Sequence, residues 1–165
     1  MIELLEKGII EIAIVHLPVD EDSFDSYKLP PERLALVYDA AVFPQLHGDY
    51  ELPVSRLQGL PRLCHRRYKE LMEQAAQKNG IQAQFFCLSD DSNSLIAWAK
   101  AGLGLAVIPE SAEAIAQREG LACIRFADRS LMTTAAVVWA RKHYHAPTTR
   151  NFISFIPQYF EQKQK

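Results

Sequence analysis

The chain has 165 residues, 48% of them hydrophobic, enough to bury a core and to exclude an intrinsically disordered polymer. A formal net charge of -2, with no lysine or arginine run before the final EQKQK, provides no basic field for a nucleic acid backbone. No apolar stretch reaches membrane-spanning length, and the opening MIELLEKG lacks the basic start and apolar centre of a secretory signal, so a cytoplasmic location is expected.

Taken in chain order, IIEIAIVHLPV is a near-continuous apolar run, expected as a strand buried on both faces, and ERLALVYDAAVF is another, with FDSYKLPPE turning between them. SRLQGL reads as a helical turn, PRLCH as a strand, and RYKELMEQAAQKNG as a helix that turns Leu71, Ala75 and Ala76 inward and stops at Gly80. QAQFFCLS is a strand, DDSNSLIAWAKAG a helix, LGLAVIP a strand, ESAEAIAQREG a helix ending at Gly120, and LACIRFA a strand. TTAAVVWARK then forms a long strand, and PTTRNFISFIPQYFEQ a closing helix that Pro157 should kink. Strands alternating with helices predict a predominantly parallel α/β architecture.

The glycines of AKAGLGLAVIPES invite comparison with a phosphate-cradling loop, but that loop needs strand, glycines, then helix, and here the order is reversed. Gly102 therefore reads as the left-handed residue ending a helix, and Gly104 as a close-packing residue entering a strand. Cys64, Cys87 and Cys123 lie far apart in apolar segments, as reduced core thiols do. Cys64 beside His65 is a poor nucleophile and base pair, because neighbours on a strand point to opposite faces. HYH, His143 to His145, has no third metal ligand at a recognisable spacing, and Asp90 and Asp91 fit the start of a helix better than a catalytic carboxylate pair. Neither a catalytic residue nor a metal or other cofactor is expected.

CHRRYKE gathers chemistry suited to binding. A strand ends and a helix begins there, so His65, Arg66, Arg67 and Tyr68 surround free backbone N–H groups at a helix N-terminus. The outline is an anion site, with a solvated corner as the other reading. Similar turns follow IAIV at His16, FFCL at Asp90 to Ser92, and AVIP at Glu110 and Ser111, and ligands of open α/β sheets lie at such strand ends.

Several segments together resemble the effector-binding domain of LysR-type transcriptional regulators. They are Gly8, Glu11, Ile12, Ala13 and Ile14; then Phe24, Asp25, Ser26, Leu29, Glu32, Leu34, Leu36 and Val37; and AGLGLAVIP from Ala101 to Pro109, preceded by Asp91. Glu11 stands where the family has aspartate. The resemblance implies an α/β fold like type 2 periplasmic binding proteins, two lobes with mostly parallel sheets and a small effector in the cleft. It places lobe I, incomplete, at residues 1–42 plus 129–165 and lobe II at 43–128, with crossovers near Tyr38 to Val42 and Phe126 to Arg129.

The resemblance also implies effector contacts at His16, Arg66, Arg67, Tyr68, Asp91 and Ser92, to which the corner reading adds His65. It implies a small organic acid or similar metabolite as ligand, and DNA only through a winged helix-turn-helix that this chain does not contain. A homo-oligomer is implied for the full regulator. Met1 would enter within the family's second lobe I helix, making the chain a piece of a regulator. Two other classes stay open on the sequence: a transport-type solute-binding protein fragment, and a small α/β enzyme using the Cys64 and His65 corner.

Overall fold

A computed structural model describes residues 1–163. The described residues fold as two units: residues 1–31 with 134–163 form the first, and residues 32–133 the second.

Unit 1 contains helix α1 (Ile2–Glu6), strands β1 (Ala13–His16) and β2 (Phe24–Lys28), and, from the far end of the chain, β10 (Ala135–Ala140) and helix α5 (Pro147–Lys163). Its three-stranded sheet runs β1, β10, β2, both pairings antiparallel. Leu5, Ala13, Phe24, Ala136, Val138 and Ala140 make one buried face. Val137 and Ile156 are buried as well, and Phe160 of α5 stacks on Tyr27 of β2. The segment expected to turn, FDSYK, is β2, because opposite β10 its backbone finds a ladder from Phe24 facing Ala140 to Lys28 facing Ala136. α5 continues through Pro157 as one helix.

Unit 2 contains, in order, β3 (Glu32–Tyr38), β4 (Glu51–Leu52), β5 (Arg62–His65), α2 (Lys69–Lys78), β6 (Phe85–Ser89), α3 (Ser92–Lys100), β7 (Leu105–Pro109), α4 (Glu113–Arg118), β8 (Ala122–Phe126) and β9 (Met132–Thr133). Its sheet runs β4, β8, β3, β7, β5, β6, with β9 joined to the start of β3. The pairs β4 with β8, β5 with β7 and β5 with β6 are parallel, and β3 is antiparallel to β7, β8 and β9. Leu34, Leu36 and Tyr38 point into one apolar layer with Cys64, Val107 and the α2 residues Met72, Ala75 and Ala76. Val37, Leu63, Ala106 and Ile108 point into the other, against Leu95, Ile96 and Ala99 of α3 and Ala116 of α4. Burial on both faces is why these strands read as unbroken apolar runs.

The units divide between Pro31 and Glu32 and between Thr133 and Thr134, so residues 32–42 and 129–133, expected in lobe I, fall in unit 2. The cause is pairing: β3 pairs with β7 over Leu34 to Val37 and with β8 over Ala35 to Tyr38, and so lies inside that sheet, while its start, Glu32 and Arg33, pairs with β9.

The helix ends behave as read. Gly102, at φ +75°, closes α3, its N–H bonding Ala99 O at 3.0 Å while Leu103 N–H bonds Trp98 O at 3.1 Å. Gly104 lies against the backbone of Pro61: a Cβ placed there would sit 2.6 Å from the Pro61 carbonyl oxygen.

Candidate binding corner at the strand ends of unit 2

Because β7, β5 and β6 are parallel neighbours, their carboxyl ends, Pro109, His65 and Ser89, share one edge of the sheet, and a helical segment leaves each. After β5 a 3-10 turn, Arg66–Tyr68, leads into α2. The His65 ring folds back and its Nδ1 accepts the Arg67 N–H at 3.2 Å, filling one of the donors that the sequence left free. Burial, and then the Arg67 charge, hold the imidazole below its ordinary pKa, so it is neutral near pH 7.

Arg66 turns toward the end of β6, its Nε 3.3 Å from Asp90 Oδ1. Arg67 lies over the Tyr68 ring, 5.9 Å from guanidinium carbon to centroid. Among the described residues no carboxylate pairs with Arg67, and it is exposed. Tyr68 is only 4% exposed; its ring belongs to the core and its hydroxyl hydrogen-bonds the Thr133 side chain. Tyr68 thus supports the corner from below instead of lining it.

Asp91 is the N-cap of α3, accepting the Asn93 N–H at 3.2 Å and the Ser94 N–H at 2.9 Å. These bonds hold its carboxyl below the usual range. Ser92 is the first residue of that helix. After β7, the Ser111 N–H is taken by Glu32 Oε2 at 2.8 Å, and Glu110 pairs with Arg125. Glu32 is a corner residue that sequence reading missed as a site residue: its partner lies far along the chain, and no local motif announces a cap delivered from another strand.

The structure therefore brings His65, Arg66, Arg67, Tyr68, Asp91 and Ser92 to one edge of unit 2, while His16 ends β1 in unit 1. Cys64 faces the α2 layer, donates its S–H to the His65 carbonyl oxygen at 3.3 Å, and is pushed up to about 12 by burial, which leaves no thiolate near neutrality. His145 packs its Nε2 2.9 Å from Ala140 O, and no group of three metal-ligating side chains occurs among the described residues. No helix among those residues is long and apolar enough to cross a membrane.

The family model of the LysR substrate binding domain matches residues 1–161. No curated protein gives a significant match. Among solved structures, the effector binding domain of QuiR in complex with shikimate superposes with a TM-score of 0.83 at 14% identity, covering 98% of this chain and 77% of that one. The Synechocystis PCC6803 CcmR regulatory domain in complex with 2-PG gives 0.75 at 11%, over 93% of this chain and 74% of that one. Full-length CbnR complexed with its target DNA gives 0.78 at 14%, over 95% of this chain, which spans 53% of that protein. At these identities the likeness shows the fold, the α/β architecture of type 2 periplasmic-binding-protein kind.

Proposed function

This chain belongs to the LysR substrate binding domain family, and on that premise we propose that it is a non-enzymatic sensor of a small organic anion, bound at the strand-end corner of unit 2. The observation that carries the reading is Arg67: an exposed guanidinium with no carboxylate partner among the described residues, beside a helix start and a second arginine. A carboxylate ligand there gains charge-assisted hydrogen bonds in the planar fork geometry that guanidinium offers. Arg66, Asp91 and Ser92 line the same corner, with His65 and Tyr68 fixing its backbone. Relatives whose structures carry shikimate and 2-PG support a small-molecule ligand.

In the complete regulator the bound state would be favoured by its differential contacts and passed to a winged helix-turn-helix elsewhere in the protein, in the cytoplasm and in a homo-oligomer. Likeness to full-length CbnR on its target DNA supports that setting. Calorimetry of the chain with shikimate and a panel of small carboxylates tests the reading. At least one should bind, and Arg67→Ala should weaken it at least tenfold, since a hydrogen bond to a charged group is worth roughly 1.5–3 kcal/mol. Binding that is indifferent to Arg67→Ala, or no binding by any acid, overturns it.

A further inference from the structure

The corner holds more negative charge than its two arginines balance. Glu32, Asp90 and Asp91 stand against Arg66 and Arg67, with His65 neutral and Glu110 already matched by Arg125. The three carboxylates are differently engaged. Asp91 and Glu32 each accept backbone N–H groups at a helix start, which would otherwise be open donors for a ligand oxyanion. Asp90 occupies the inner guanidinium edge of Arg66, both oxygens within 3.4 Å of Nε. One cationic group of the corner is left without a carboxylate partner among the described residues, Arg67, whose side chain contacts Tyr68.

Resting on the site reading above, we propose that Asp90 and Glu32 are specificity-determining residues that restrict the corner to ligands with a single anionic group. A monocarboxylate places its charge on Arg67 and turns neutral or hydroxylated atoms toward Asp90 and Glu32, whose remaining lone pairs accept hydroxyl donors. A dicarboxylate of the same skeleton must bring its second charge toward a carboxylate, because among the described residues the other cations at the corner, Arg66, Lys69 and Arg125, are each paired with an acid. The Arg66 and Asp90 side chains are 59% and 74% exposed, so the discrimination is moderate and screened by salt.

The test titrates the chain with cyclohexanecarboxylate, shikimate and cis-cyclohexane-1,2-dicarboxylate at pH 7 and low salt. The monocarboxylates should bind at least fivefold more tightly than the dicarboxylate. Asp90→Asn, a change at an exposed position that leaves the fold intact, should raise dicarboxylate affinity at least fivefold and change monocarboxylate affinity less than twofold. Glu32→Gln should do the same more weakly, about twofold, and 0.5 M NaCl should shrink the wild-type preference. Equal binding of mono- and dicarboxylates by the wild type, or a preference untouched by Asp90→Asn, overturns this inference while leaving the anion site standing. If no acid binds to the wild type or either variant, the site reading fails and the inference falls with it.

Discussion

Unit 2 and unit 1 bury their strands in opposite manners. In unit 2 the strands β3, β7 and β5 are covered on both faces, and residues such as Leu36, Val37, Leu63, Ala106 and Val107 are fully buried. In unit 1 a three-stranded sheet is gathered from two distant parts of the chain, β1 pairs on one side only, and Ile14 in its middle is 59% exposed. Phe152 and Phe155 of α5 are also exposed. The lesson is that one continuous segment enclosing its own sheet yields a rigid platform for the arginine corner, whereas the other unit depends on a long-range ladder with an open edge.

Hydrogen exchange measures this difference most strongly. Amides of β3, β5 and β7 should be protected at least a hundredfold more than the β1 amides directed away from β10, because exposed edge groups exchange without cooperative opening. Equal protection would break the comparison and show that the β1 edge is covered. The platform can also be attacked from within. Gly104→Ala drives a methyl into the Pro61 carbonyl, a rigid backbone contact at the β5 and β7 junction, and should destabilise unit 2 by roughly 2–3 kcal/mol in denaturant melts. Gly102→Val should cost less, about 1–2 kcal/mol from the left-handed backbone, since the neighbour it meets is the Val42 side chain. A neutral Gly104→Ala would mean that β5 and β7 slide apart easily, contrary to a rigid platform.

How much of this was legible in the sequence follows the same division. The doubly buried strands announced themselves as apolar runs, and the order of helix, Gly102, Gly104 and strand came through because each signal is local. β2 was hidden because Asp25, Ser26 and the prolines after it carry turn chemistry, and only β10 makes it a strand. IIEIAIVHLPV promised a longer strand than the four residues of β1, since hydrophobicity does not say how far a partner extends. At the corner, the arginines and the Asp91 cap were readable from their place at strand ends. Glu32 on Ser111, Asp90 on Arg66 and Thr133 on Tyr68 were not, because each depends on elements that meet only after the sheet is assembled.

The smallest effect contrasts a local cap with a remote one. Asp91 in unit 2 accepts N–H groups two and three residues ahead, and Glu11 in unit 1 accepts the N–H of Ala146, just before α5. Both carboxyls are held below their ordinary values by hydrogen bonds, Asp91 chiefly by the Ser94 backbone and Glu11 chiefly by the Thr149 side chain. A carboxylate whose folded pKa is depressed adds stability that is present above its unfolded pKa, near 4, and lost as pH falls through the folded value. Asp91→Asn keeps an N-cap acceptor and removes only the charge, so it should lower the melting temperature by a few degrees above about pH 5. The gap from wild type should close as the pH falls from about 4, the ordinary carboxylate value, through the lowered folded value at which Asp91 takes up a proton. Glu11→Gln should follow the same sign, but its loss should also speed exchange at the start of α5, because its acceptor fixes that helix to the segment before β1. A gap that widens on acidification would mean that the Asp91 charge opposes the fold, and that α3 is capped by geometry alone.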